Sequence, residues 1–223
     1  MGPWVFFLIV PLVVGVLVYG LYRAAQRRKV LRAWAAQNGL SFDRSHDGSM
    51  DNRFPDFRCL HHGRSRYAYN CMYGPHRDRQ VLAFDYHYVT GSGKNRTTHT
   101  FSAVILASPV PLEPLHIRSE GFFDRVGEFF GFDDIDFESA QFSREFRVTS
   151  PDRRWAYDVI HARMMEYLLA APRMSIQFDS GHVIVWQGGR TFSPAQFTDS
   201  LELAHGILDR LPDYLVQQQK ERT

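Results

Sequence analysis

An α+β body behind an N-terminal transmembrane helix is the fold class that the sequence predicts, and three observations predict it. Residues 4–22, WVFFLIVPLVVGVLVYGLY, carry no charged side chain and approach the ~20 helical residues that cross a hydrocarbon core. Runs dense in β-branched and aromatic residues cluster between positions 57 and 119, while helical patterns dominate the remainder. Strands grouped ahead of helices favour an antiparallel β-meander packed with helices over a parallel doubly wound sheet.

The apolar run reads as an uncleaved anchor. A secretory signal would show a basic start and a small-residue cleavage site, but only Met1, Gly2 and Pro3 precede the run, and Ala24 and Ala25 lie within basic surroundings. Pro11 removes one backbone hydrogen bond, which membrane helices tolerate. Arg23, Arg27, Arg28, Lys29 and Arg32 follow at once, and the first acidic residue is Asp43. Basic flanks stay on the cytoplasmic side, so a single-pass protein of the cell (inner) membrane is expected, with its N-terminus outside and its body cytoplasmic. The bilayer is then its first partner, and the basic cluster reads as a topology signal.

Leu31, Trp34 and Ala35 recur at helical spacing before the stop Asn38-Gly39. Gly48 and Pro55 mark a loop. FRCL, SRYAYNCMY, QVLAFDYHYVT and RTTHTFSAVILA read as successive meander strands, and LHIRS as one more. EGFFDRVGEFFGF places Phe122, Val126, Phe129 and Phe130 on one helical face. The five phenylalanines between Phe122 and Phe132 fit either core packing or a helix lying in the membrane interface. REFRVT is a strand, and Ser150-Pro151-Asp152 starts a helix over 152–170 with a possible break at His161-Ala162 and an end at Pro172. MSIQFD and HVIVWQ form a hairpin around Ser180-Gly181. Ser193-Pro194-Ala195-Gln196 is a capping box, opening a helix that Pro212 kinks or ends. The expected units are an anchor over 1–22, a basic juxtamembrane helix over 23–39, a cytoplasmic α+β domain over 40–216 and a polar tail over 217–223.

The 223 residues are 44% hydrophobic and 22% charged, and the formal charge is +2. Five of the 26 basic residues precede Asp43, leaving 21 against 24 acidic ones, a body of charge −3. That balance argues against nucleic acid as a partner. Cys59 and Cys71 lack metal-site spacing and read as reduced, buried thiols in a cytoplasmic domain.

Three stretches carry a resemblance. RAWAAQNGLSF, VLAFDYHYVTGSGKNRTTHTFSAVIL and DIDFESAQFSREFRVTSPDRRWAYDVIHARMMEYLL resemble segments of membrane-anchored bacterial proteins grouped by a domain of unknown function. The resemblance spans most of the chain and implies a similar anchored architecture. It implies no catalytic residue. His161-Ala162 stands where the relatives often have proline.

Candidate chemistry is sparse. Gly91 to Lys94 reads GSGK, but Tyr88 and Asn95 break the phosphate-loop pattern, and the segment joins two strands rather than a strand and a helix. A hairpin turning about Gly93 would set His87 opposite His99, with Asp85 two residues along the same face, a ligand set adequate for zinc or iron. His61-His62 reads as a solvated loop. Asp133, Asp134, Asp136 and Glu138 lack the glycine and glutamate positions of a calcium loop. Ser180 lies in an ordinary turn, without a nucleophile elbow. No residue is assigned a catalytic, cofactor-binding or metal role. The expected function is a non-enzymatic, membrane-tethered module that binds a protein partner or lipid near the bilayer. The alternatives are an enzyme with a site assembled from scattered polar residues on the β-meander, such as His87, His99 and Asp85, and a structural subunit of a membrane assembly.

Overall fold

The computed structural model describes residues 4–119 and 134–221, with side chains of the first helix described from Leu12. That helix, α1, runs Trp4–Gln37 without a break. Strand β1 (Ser41–Asp43), helix α2 (Met50–Arg53) and a 3-10 turn at Arg58–Leu60 lead into β2 (Arg64–His76), β3 (Arg79–Thr90) and β4 (Thr97–Ala107). Then follow β5 (Leu115–Ser119), α3 (Ala140–Glu145), β6 (Phe146–Thr149), α4 (Arg153–Val159), α5 (Ala162–Ala170), β7 (Ser175–Phe178), β8 (His182–Gln187), α6 (Pro194–Leu208) and α7 (Asp213–Glu221). The predicted phenylalanine helix, including Phe122 to Phe132, lies outside the described residues, as does Asp133.

The strands form one eight-stranded sheet in the order β1-β2-β3-β4-β8-β7-β5-β6, every pairing antiparallel. The α+β class is therefore as read from the sequence, and three of the four expected meander strands, β2, β3 and β4, pair in the expected order. Alternating side chains send Val81, Ala83, Val104, Leu106, Val183 and Val185 to one face, where α1 and α6 bury them with Leu31, Trp34, Ala35, Phe197 and Ala204. Phe84, Tyr86, Phe101, Ile105, Ile184 and Trp186 go to the other face. There the 50–60 segment seals them with Met50, Phe54, Phe57 and Leu60. FRCL, expected as a strand, is thus a turn whose apolar residues form a lid: Phe57 and Leu60 are wholly buried, and Tyr86 Oη donates to the Leu60 carbonyl at 2.6 Å.

Several local signals hold. The Ser193–Gln196 capping box is complete, and the expected break separates α4 from α5, with the His161 side chain capping the second helix. Other boundaries move. The stretch read as a polar tail is helical to Glu221, with Gln219 buried. The domain core does not begin at residue 40, because Leu31, Trp34 and Ala35 on α1 belong to its main cluster.

The first half of the expected membrane span lies among residues whose side chains are outside those described. Among the described residues no helix is long and apolar enough to cross a membrane. In the part that is described, Leu12, Val13, Val14, Val16, Leu17, Val18, Tyr19, Leu21 and Tyr22 are all exposed by half or more.

Candidate functional site

The body meets α1 at Asp85, a wholly buried carboxylate on β3. Four donors converge on it. Arg27 of α1 gives Nε to Oδ2 at 2.8 Å and Nη2 to Oδ1 at 2.6 Å. Asn70 Nδ2 reaches Oδ2 at 2.8 Å, and Ser102 Oγ donates to Oδ1 at 2.6 Å. Arg27 Nη1 continues to the Phe192 carbonyl at 3.0 Å, while the Phe192 amide donates to Ser102 Oγ at 2.8 Å. A bidentate fork on a carboxylate fixes orientation as well as distance. The junction therefore locks α1, β3, β4 and the approach to α6 through one charge pair.

Local sequence explains how the donors arrive. The β2–β3 register slips between Tyr69 and Met72, and Asn70 takes φ 51°. Such a bulge re-aims a side chain, here toward Asp85. Ser102 stands opposite Asp85 across the β3–β4 ladder. Arg27, Leu31, Trp34 and Ala35 follow an i, i+4, i+7, i+8 stripe, one face of a helix. Arg27, read from sequence as part of a topology signal, is thus the polar start of a core-facing stripe. That spacing was the available signal for its second role.

The histidine site does not form. His87 pairs with Thr100 and His99 with Tyr88, one residue from the expected register. The loop spans 91–96 between Thr90 and Thr97 with a 3-10 turn at Gly93–Asn95, so the hairpin is not centred on Gly93. A one-residue slip moves a side chain to the other face. His87 stacks on Tyr67 at 4.5 Å and donates from Nδ1 to the Ser65 carbonyl. His99 stacks on Tyr88 at 4.8 Å and bonds Thr90. Asp85, the intended third ligand, is committed to Arg27. Among the described residues no group of His, Cys, Asp and Glu is arranged to hold a metal ion. Asp134 instead pairs with Arg147 at 3.0 Å. Cys59 and Cys71 are buried thiols, and burial pushes the Cys71 thiol up to about 12.

At the opposite end of the sheet the β2–β3 turn docks on α6. Arg77 and Asp78 both have positive φ, the geometry of a two-residue hairpin. Arg77 pairs with Glu202, and Arg79 with Asp209 at 2.7 Å. Arg79 Nη1 lies 3.0 Å from His205 Nδ1, and His205 Nε2 lies 3.0 Å from His76 Nδ1. Since arginine only donates, His205 Nδ1 accepts, and its Nε2–H donates onward to His76. Burial, with His76, Arg79 and Arg77 beside it, lowers the His205 pKa to about 4 against a smaller opposing effect of Asp209. Burial, aided by Arg77, also lowers that of His76.

A cleft of about 440 Å³ opens on the α2 side of the sheet. Phe54, Cys71, Leu82 and Ile105 give it an apolar lining, and Asp43, Asp47, Arg53 and His182 give it polar groups. Asp47 pairs with Arg53 at 3.2 Å and accepts from Ser49. Burial opposes its ionisation, but those partners hold its pKa below the ordinary value. The size and mixed lining suit a small ligand.

No protein-family model and no curated protein matches the chain. Among solved structures, the crystal structure of the mycobacterial trehalose monomycolate transport factor A, TtfA, matches with a TM-score of 0.63 at 14% identity, over 82% of this chain and 92% of that one. At that identity the likeness is one of fold, and the chain shares the architecture of TtfA over most of both lengths.

Proposed function

We propose that this chain is a membrane-anchored, non-catalytic module whose body is held at the cytoplasmic face of the bilayer to bind a protein partner or lipid there. The observation that carries the reading is the two-part character of α1. Nine large apolar side chains between Leu12 and Tyr22 are exposed by half or more, and the same unbroken helix enters the core at Arg27, Leu31 and Trp34. In water such an uncovered stretch is unfavourable by roughly 25 cal/mol per Å² of apolar surface, a cost that lipid removes. The basic residues from Arg23 to Arg32 favour a cytoplasmic body. Alkaline carbonate should leave the chain in the membrane pellet. A fluorescent protein fused after Thr223 should glow, and a phosphatase there should stay inactive. Release by carbonate, or the reverse reporter pattern, would overturn the reading.

A narrower version places the module in lipid transport. It is supported by the fold likeness to a trehalose monomycolate transport factor and by the cleft between β1 and α2. Native mass spectrometry of the detergent-purified chain should then show a bound lipid that Leu82→Trp, which fills the cleft, displaces.

A further inference from the structure

Three loops lie toward the end of the sheet where α1 enters. Residues 61–66 read HHGRSR, 91–96 read GSGKNR and 188–193 read GGRTFS, and none contains an acidic residue. The flanking sequence is equally bare, with no Asp or Glu over 57–77, 86–112 or 180–198, and Asp51, which reaches the first loop in space, is paired with Arg66 at 2.7 Å. The ladders place the first two together, since Arg64 pairs with Val89 and Thr90 with Thr97. The 188–193 loop sits further back, at the level of Asp85, where the Ser102 amide donates to the Arg190 carbonyl at 3.2 Å. Arg64, Lys94, Arg96 and Arg190 are exposed, and none forms an ion pair among the described residues. The body's mild negative charge is thus segregated, with a basic rim at one end.

That rim reaches as far as the helix does before it leaves the body. Leu40 at the end of α1 lies by Gly74, and Arg27 lies at Asp85, so α1 and β3 run in opposite senses across the same face. Five residues from Asp85 to Thr90 span about 16 Å of strand, and five from Arg27 back to Tyr22 about 7.5 Å of helix. Even with helix and strand crossing at about 60°, the strand end stands level with Tyr22, and the 91–96 loop projects beyond it. Glycine shapes the tips tightly. Gly63 has φ +68°, and a Cβ there would lie 2.5 Å from the Val89 carbonyl oxygen; Gly91 has φ +69°, and a Cβ would lie 2.2 Å from that of Asn95.

We propose that the 61–66 and 91–96 loops seat on an anionic bilayer surface, with Arg64, Lys94 and Arg96 against phospholipid headgroups. The inference rests on α1 being the anchor and adds a second contact that fixes the body's attitude to the membrane. Each basic residue near such a surface contributes about fivefold to partitioning, and salt weakens the contact.

The test uses the full chain in lipid nanodiscs, with a nitroxide on Asn95→Cys at the loop tip or, separately, on Asp78→Cys at the far turn. In discs containing phosphatidylglycerol, the Asn95 label should sit at headgroup depth by power saturation with oxygen and a nickel complex. In discs of phosphatidylcholine alone it should be in water. Arg64→Gln, Lys94→Gln and Arg96→Gln combined should return it to water in anionic discs, a loss of headgroup contact of at least tenfold. The Asp78 label should stay in water throughout. An Asn95 label in water in both discs, or headgroup contact that survives the three substitutions, would overturn the proposal while leaving the anchor intact. Immersion only after a native-membrane protein fraction is added would reassign the loops to a protein partner and equally overturn it. A chain that does not enter discs of either composition would instead remove the anchor reading.

Discussion

The two halves of α1 differ in exposure, one lying open and the other sorted against the body. From Leu12 to Tyr22 the large side chains are apolar all round and every one is exposed by half or more. From Arg27 to Ala35 they are sorted, with Arg27, Leu31, Trp34 and Ala35 turned to the body and Arg28, Lys29 and Arg32 to solvent. The first half has the composition that a hydrocarbon environment accepts on every side. The second has a stripe that only a particular partner completes. A helix boundary and a domain boundary therefore need not coincide, and here the domain begins inside the helix.

The largest way to break the comparison is at the junction. Arg27→Ala leaves a buried carboxylate without its charge partner and should destabilise the body by about 3–5 kcal/mol. Trp34→Ala removes a ring that packs on Phe197 at 5.3 Å and donates to Thr198 at 2.9 Å, and should cost a similar ~3–5 kcal/mol. Leu17→Ser, in the uncovered half, should leave the urea midpoint of the detergent-solubilised chain unchanged and weaken membrane retention alone. Deletion of the first 37 residues should give a molten body by near-ultraviolet dichroism, while a chain starting at Arg23 keeps its near-ultraviolet signal. A well-folded product from the shorter chain would sink the claim that α1 is part of the core.

Acid sharpens the contrast between the ends of the sheet. His205 is lowered to about 4 and His116, buried beside Trp186 with Arg118 and Arg58 acting in the same sense, to about 3. Both are neutral in the fold, whereas in the unfolded chain they titrate near 6.5. Their contribution is therefore fully present above pH 6.5. It falls between there and pH 4, at about 1.4 kcal/mol per pH unit for each. Urea midpoints at pH 7.5 and 5.5 should differ in that direction, and His205→Gln should flatten the slope. The Arg27–Asp85 junction contains no histidine, so the Trp34 environment should be the last to change.

The smallest effect is expected at His87 and His99. Their separate stacks on partly exposed tyrosines should make the double alanine variant worth about 1 kcal/mol or less. Elemental analysis should find no stoichiometric zinc or iron, and a metal lost with the double substitution would contradict the register.

Local signals were enough for strands β2 to β4 and the Ser193 cap, because each depends on residues close in sequence. The Asp85 site was not legible for the opposite reason. Arg27, Asn70, Asp85, Ser102 and Phe192 come from five distant segments, and Asn70 arrives through a bulge that no alternation pattern announces. His87 and His99 were misaligned because a hairpin register depends on loop geometry, and a six-residue loop reads much like a five-residue one. The 57–60 lid looked like a strand since short apolar runs carry no period of their own.

The continuity of α1 has a mechanical corollary. Some 50 Å of unbroken helix clamped at Arg27 contains no swivel, so with the proposed anchor in a bilayer the molecule would behave as a lever. Membrane helices tilt by about 20° on average, and the tilt changes with bilayer thickness. With β3 about 40 Å long, a tilt of that size carries the 76–79 turn roughly 14 Å sideways. A thinning or thickening of the lipid would thus be felt at the distant turn on α6 as a change of position, with no rearrangement inside the body at all.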